Sequence, residues 1–298
     1  MHIPVPVIHL FATVLISLPI TLVTAASLKA VSHFGSNPTN IQMNIYVPDK
    51  LAANPPVILA MHPCGGNAQG YYGMTKLPSY ANKYGFILIY PQTTHDFNCW
   101  DVATNASLTH GGNGDSAGLV SMVNYVIMTY KADPKRVFAT GSSSGAMETN
   151  NLAGAYPDVF AGGASFSGFP YGCRRGASSS SPISDTGCPL GQVVKTQQGW
   201  MDELKKGFPG YTGSYPKMFI AHGTADNLVV FSCYTQQMMQ WSAAHNITLS
   251  KEVTNAPSSG YTEQIYGDGT KLLGIVQQNG QHFTPYQEEM VLKFFGII

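Results

Sequence analysis

Apolar positions along the chain follow two alternating rhythms. Short runs bounded by Pro, Gly and Asn predict strands at 40–47, 56–62, 86–90, 137–140, 161–167, 217–222 and 271–276, with another near 262–266. Between them, apolar residues at helical spacing predict helices at 76–84, 114–131, 145–155, 196–207, 233–245 and 285–295. The strongest helical stripe is Leu119, Val120, Met122, Val123, Val126, Ile127 and Tyr130, which reads as core rather than as a binding face. Strands alternating with helices predict an α/β fold with a mostly parallel sheet covered on both faces. No internal repeat or appended module breaks this order, so 27–298 reads as one domain. Ser178 to Pro182 is a short low-complexity loop within it.

One segment stands outside the pattern. Val5 to Val23 is apolar, is broken by Pro6 and Pro19, and ends Val23-Thr24-Ala25-Ala26. Small residues at that exit predict a signal peptide over 1–26, cleaved after Ala25 or Ala26, and hence a secreted protein. A membrane anchor is the alternative, which the two prolines disfavour. Asn105-Ala106-Ser107 and Asn246-Ile247-Thr248 are then glycosylation acceptors, whereas Asn37-Pro38-Thr39 is excluded by its proline.

Charge narrows the possible partners. Charged residues make up only 11% of the chain and the formal net charge is zero, so nothing steers it toward nucleic acid or an anionic membrane. A neutral polymer such as a polysaccharide is the easier partner, and a monomer is expected. Metal-ligand spacings such as C-x-x-C and H-E-x-x-H are absent, so neither metal nor cofactor is expected.

The chemistry is carried by Gly141-Ser142-Ser143-Ser144-Gly145, which follows the predicted strand at 137–140 and opens the predicted helix at 145–155. G-x-S-x-G in that strand–turn–helix setting predicts a nucleophile elbow, with Ser143 lifted above the sheet edge to attack an acyl carbon. The two glycines are expected to supply backbone angles that other residues resist. A Gly/Ser-rich loop is the bland alternative. A nucleophilic serine needs a base, and the base needs an orienting carboxylate, in the chain order Ser, Asp, His. Asp226 lies on the polar turn after the strand at 217–222, and His282 on the loop after the strand at 271–276. His222 is the rival base, but its place at a strand end suggests a packing role. The oxyanion hole is expected from the backbone N–H of Ser144 and of Cys64, since Pro63 has no N–H to offer.

Five cysteines allow at most two bridges. If the strands before Cys64 and Cys99 end at the same sheet edge, these two loops come within disulfide reach and their bridge steadies the oxyanion loop. Cys173 and Cys188 flank the Ser-rich loop and suit a second bridge, leaving Cys233 as a thiol. The rival pairing joins Cys233 to Cys173 or Cys188.

These residues, together with His62-Pro63-Cys64-Gly65-Gly66, Asn98-Cys99-Trp100-Asp101, Gly114-Asp115-Ser116 and Ala155-Tyr156-Pro157-Asp158-Val159-Phe160-Ala161, resemble the fungal secreted esterases of carbohydrate esterase family 1. That group holds acetylxylan and feruloyl esterases and shares a lineage with polyhydroxybutyrate depolymerase-like esterases. The resemblance covers nearly all of the chain beyond the signal. It implies the α/β-hydrolase fold, no cofactor, and catalytic roles for Ser143, Asp226 and His282. The chain departs from the group's pattern at Glu148, where a Met is usual, and at Ser184, where acetylxylan members often carry Trp. The missing Trp implies room for an aromatic acyl group and tips the expected specificity slightly toward feruloyl over acetyl. Polyester depolymerase, generalist carboxylesterase and a non-catalytic secreted binding protein are the alternatives.

Overall fold

The computed structural model describes residue 2 and residues 26–177, 184 and 186–298. Except for His2 and Ala26, the expected signal peptide lies outside the described residues, as do Ser178 to Pro182 of the low-complexity loop. Among the described residues, ten strands form one sheet: β1 (Lys29–Val31), β2 (Gln42–Tyr46), β3 (Val57–Met61), β4 (Ile87–Gln92), β5 (Val137–Ser142), β6 (Gly162–Phe166), β7 (Lys217–Gly223), β8 (Leu249–Thr254), β9 (Tyr261–Tyr266) and β10 (Leu272–Gln277). The helices are α1 (Ala68–Met74), α2 (Leu77–Tyr84), α3 (Asp115–Tyr130), α4 (Ser144–Ala155), α5 (Gln197–Gly207), α6 (Ser232–His245) and α7 (Glu288–Phe295).

Strand order is β1-β2-β4-β3-β5-β6-β7-β10-β9-β8. The six central strands, β4 to β10 in that order, are parallel, and both margins are antiparallel. This is the α/β-hydrolase architecture. Central parallel strands are buried on both faces, which is why they read as continuous apolar runs. Along β3, Val57, Leu59 and Met61 enter the core beneath α3, α4 and α6, whereas Ile58 and Ala60 enter the core beneath α1, α2 and α7.

Three elements escape the sequence pattern. β1 has three residues, too few to show a period. β8 is the sheet's far edge, pairs only with β9, and exposes most of its side chains, so no apolar alternation marks it. α1 buries only Ala68 and Tyr71; its one local mark is Asn67, whose side chain caps the helix by accepting from Gly70 N at 2.7 Å. Because the central strands run parallel, the loops after β3, β4, β5, β7 and β10 gather at one sheet edge. Open α/β sheets place their chemistry there.

Candidate active site

Ser143 occupies the sharp turn between β5 and α4, at φ 53° and ψ −119°. Its neighbours make that turn possible by absence of side chain. A Cβ on Gly141 would lie 2.4 Å from the Gly145 carbonyl carbon, and one on Gly145 would lie 2.2 Å from the Met61 carbonyl oxygen. Neither glycine has a positive φ, which corrects the expectation that they supply unusual backbone angles. They supply room, and the strained conformation falls on Ser143 itself, at roughly 1–3 kcal/mol. The surrounding structure holds it there: Ser143 N donates to Phe166 O at 2.9 Å, and Met147 N donates to Ser143 O at 2.9 Å.

Three residues far apart in the chain meet at this turn. Ser143 Oγ is 2.8 Å from His282 Nε2, and His282 Nδ1 is 2.8 Å from Asp226 Oδ2. Ser143 and His282 are 8% exposed and Asp226 is 5% exposed, so the hydrogen-bonded chain is largely screened from water. The other Asp226 oxygen, Oδ1, accepts from Leu228 N and Val229 N, both at 2.9 Å. Burial alone would raise the Asp226 pKa. Hydrogen bonds from His222, His282 and Val229 N–H outweigh that and hold it well below the usual carboxylate range. The carboxylate is therefore ionised and able to fix the imidazole tautomer.

His222 sits behind the acid rather than beside the serine. Its Nε2 lies 2.7 Å from Val229 O and 3.2 Å from Asp226 Oδ2, so one N–H serves the loop carbonyl and the carboxylate together. It packs around the acid's turn, in reach of Asp226 and not of Ser143.

Near Ser143, the N–H groups of Gly65 and Gly66 are engaged by Phe97 O and Pro63 O. Among the described residues, those of Cys64 and Ser144 have no protein acceptor. Beside them opens a cleft of about 450 Å³ lined by Cys64, Ser143, Met147, Pro189, Val229 and His282. Leu190, Leu228 and Phe283 also line it and are 43%, 58% and 62% exposed. Among the described residues, His282 is the only titratable group on the cleft wall. Such a wall suits an uncharged, apolar group next to the serine.

The profile of the family described as "Esterase PHB depolymerase" matches residues 41–244. The chain belongs to that family. Among curated members, it is 50% identical to Feruloyl esterase B of Talaromyces funiculosus over 94% of this chain and 79% of that one. It is 40% identical to Acetylxylan esterase A of Emericella nidulans, over 92% of this chain and 90% of that one. Among solved structures, an acetyl xylan esterase from Aspergillus awamori superposes with a TM-score of 0.86 at 37% identity, over 91% of this chain and all of the other.

Two disulfides brace this esterase-family fold. Cys64 is bonded to Cys99 and Cys173 to Cys188, while Cys233 is a buried thiol whose pKa burial pushes up to about 12. The rival pairing through Cys233 is not formed; its thiol instead donates to Cys188 O at 3.2 Å. Asn105 and Asn246 are both exposed, and Asn105 Oδ1 accepts from Arg175 Nη1 at 2.9 Å. Ser184 is exposed. Among the described residues no cluster of His, Cys, Asp and Glu is placed to hold a metal ion, and no helix is long and apolar enough to cross a membrane.

Some features of the site have no sequence signal. Leu190, Leu228 and Phe283 are isolated apolar residues in loops, which ordinarily carry no meaning. Glu148 is visible only as a departure from the family pattern. It is fully buried on α4, accepting from Ser116 Oγ at 2.7 Å and Asn151 Nδ2 at 3.0 Å. Burial, helped by the charges of Asp115 and Asp101, raises its pKa well above the ordinary value and so favours the protonated form.

Proposed function

We propose that the protein is a secreted serine ester hydrolase that removes acyl groups, feruloyl in preference to acetyl, from plant cell-wall xylan. One observation carries the reading: the Asp226–His282–Ser143 hydrogen-bonded chain ends at a hydroxyl that faces an apolar cleft. The named activities of the family members at 40% and 50% identity support the same substrates.

Ser143 Oγ attacks the ester carbonyl carbon while His282 Nε2 takes its proton. The carbonyl oxygen becomes an oxyanion, received by the N–H groups of Cys64 and Ser144. Collapse breaks the bond to the sugar oxygen, which leaves with the proton from His282. Water, deprotonated by His282, then attacks the acyl-serine; the bond to Ser143 Oγ breaks, Oγ takes the proton back from His282, and the acid leaves. Asp226 stays ionised throughout, holding Nδ1–H and balancing the charge of the imidazolium.

A 450 Å³ apolar cleft is far larger than an acetyl group needs, and burying an aromatic acyl arm against Leu228 and Phe283 contributes roughly 25 cal/mol per Å² removed from water. Two disulfides suit an oxidising compartment, in line with the signal peptide read over 1–26 and with glycans on Asn105 and Asn246. The enzyme works as a monomer without cofactor.

The test is a substrate panel of methyl ferulate, acetylated xylan, short nitrophenyl esters and polyhydroxybutyrate, run on wild type and Ser143→Ala. The expected result is highest kcat/KM on the ferulate and loss of about ten-thousandfold or more in the variant. A preference for polyhydroxybutyrate would make it a polyester depolymerase. Full activity in Ser143→Ala would overturn the serine mechanism.

A further inference from the structure

The loop that presents Cys64 is laced to the segment that follows β4. Thr93 N donates to His62 Nε2 at 3.3 Å, Gly65 N donates to Phe97 O at 2.8 Å, and Asn98 Nδ2 donates to Gly66 O at 3.1 Å. Trp100 Nε1 donates to His62 O at 2.9 Å, and Cys99 is covalently joined to Cys64. The same strap reaches the second oxyanion donor, because Trp100 N donates to Ser144 Oγ at 2.8 Å. His62 is fitted to its part as a neutral ring: Nδ1–H donates to Pro63 O at 2.8 Å, which leaves Nε2 free to accept, and burial lowers its pKa.

This strap holds an unfavourable shape. Asp96, Phe97 and Asn98 are consecutive non-glycine residues with φ of 46°, 60° and 56°. Left-handed backbone costs roughly 1–2 kcal/mol per residue, so three in a row persist only if both ends are fixed. The Cys64–Cys99 bond fixes one end. At the other, His95 Nε2 lies 3.1 Å from Asp115 Oδ2, and His95 Nδ1 lies 3.0 Å from Thr93 Oγ1. Asp115 is fully buried at the start of α3, where its N–H donates to Ser107 Oγ at 2.9 Å. Its Oδ2 also accepts from Asp101 N at 3.0 Å, so one carboxylate oxygen grips the strap on both sides of the left-handed turn.

We propose that His95 is a positioning residue for ester hydrolysis: paired with Asp115, it holds the strained 95–99 turn so that the Cys64 N–H stays aimed at the developing oxyanion. This rests on the serine-hydrolase reading above and adds a residue to it. His95 touches neither Ser143 nor the cleft wall. It acts through Phe97 and Asn98 on Gly65 and Gly66, and hence on Cys64.

A pH signature follows. The hydrogen bond that His95 donates to Asp115, aided by the charges of Asp115, Asp101 and Asp96, raises the His95 pKa. The imidazolium therefore outlasts an ordinary histidine cation and is lost as pH rises further. Facing His95 are Asp115 from α3 and Asp96 and Asp101 from the strap; Glu148 on α4 is coupled to Asp115, and its pKa is raised by burial. Losing the cation removes the ion-pair attraction and leaves a neutral N–H donating to the carboxylate, which loosens the anchor. Turnover should then decline on the alkaline side.

The experiment measures kcat and KM on methyl ferulate from acid to alkaline pH for wild type, His95→Ala and His95→Gln, each normalised to active sites titrated with a fluorophosphonate. His95→Ala should lose about ten- to a hundredfold in kcat with little change in KM, as expected for a misplaced oxyanion donor. Gln keeps a donor toward Asp115 without a titratable proton, so His95→Gln should recover most of the neutral-pH kcat but lack the alkaline decline. Wild-type kcat per titrated site in His95→Ala, or an alkaline decline that survives in His95→Gln, would overturn the proposal. Ser143→Ala separates the two layers of the argument. If it stays active, the serine reading fails and takes this proposal with it; if it is dead while His95→Ala turns over normally, the positioning role alone fails.

Discussion

Replacing Glu148 by Gln should make the protein more stable, and increasingly so as pH rises. The side chain is fully buried, accepts from Ser116 Oγ and Asn151 Nδ2, and lies in the field of Asp115 and Asp101. Its folded pKa is raised well above 4.5, while in the unfolded chain it ionises near that ordinary value. Between those two values the folded state holds one proton more than the unfolded state. Unfolding free energy therefore falls with rising pH, by about 1.4 kcal/mol per unit. Gln has the shape of the neutral acid, keeps an acceptor oxygen, and has no proton to lose. Below pH 4.5 the two proteins should agree within about 1 kcal/mol, the scale of one rearranged hydrogen bond. Above it the variant should gain about 1.4 kcal/mol per unit until Glu148 ionises in the folded state. Glu203 has the opposite sign: burial would raise it, but Lys195, Lys206 and Arg175 hold it down at about 2, so it stabilises above its unfolded pKa and that gain fades in acid. It is present in both proteins and cancels in the difference. Urea unfolding at several pH values between about 4 and 8, with disulfides intact, gives the two curves from midpoint and slope. Parallel curves across that range would show that Glu148 is not a buried neutral acid.

Asp226→Asn should cost about a thousandfold or more in kcat, since an amide cannot stabilise the imidazolium, and His222→Ala should cost far less; steady-state kinetics would detect the reverse order. Because Asp226 is held well below the usual carboxylate range, its ionisation should not produce an acid limb in the profile of kcat against pH, and Asp226→Glu should show the same acid limb as wild type. Trimming the cleft rim with Leu228→Ala and Phe283→Ala should raise KM for methyl ferulate about 5- to 30-fold each, about 1–2 kcal/mol, while leaving a nitrophenyl acetate nearly unchanged. Equal effects on both esters would remove the acyl arm from that wall. Replacing both Cys173 and Cys188 by Ala opens a loop of sequence separation 15 and should lower stability by roughly 3 kcal/mol, measurable as a shift in the urea midpoint.

Much of the candidate site is legible in the sequence because its information is local. The elbow needs a strand, two residues without side chains and a helix, all close to Ser143 in the chain. The order of triad members, and places just after strands, single out Asp226 and His282. In a parallel sheet that puts both at the edge where Ser143 sits. Central strands are equally plain, because burial on both faces leaves mostly apolar residues. β8 fails the same test for the converse reason: at the sheet's edge, solvent and β9 ask for no apolar face.

What the sequence by itself determined, then, is the periodic layout of strands and helices and the residue types at their ends. Tertiary structure alone decided the rest. Ser143 and His282 are 139 positions apart and meet only because β5 and β10 share a sheet, with β6 and β7 between them. The apolar wall of Leu190, Leu228 and Phe283 exists only where separate loops converge. His95 gains its anchor from the buried carboxylate at Asp115, and Glu148 its raised pKa first from burial and then from that same carboxylate. A side chain's chemistry is written in its type, but its pKa, its partners and the strain it restrains depend on distance and desolvation. Those are set by how the chain packs, and periodicity along the chain does not encode them.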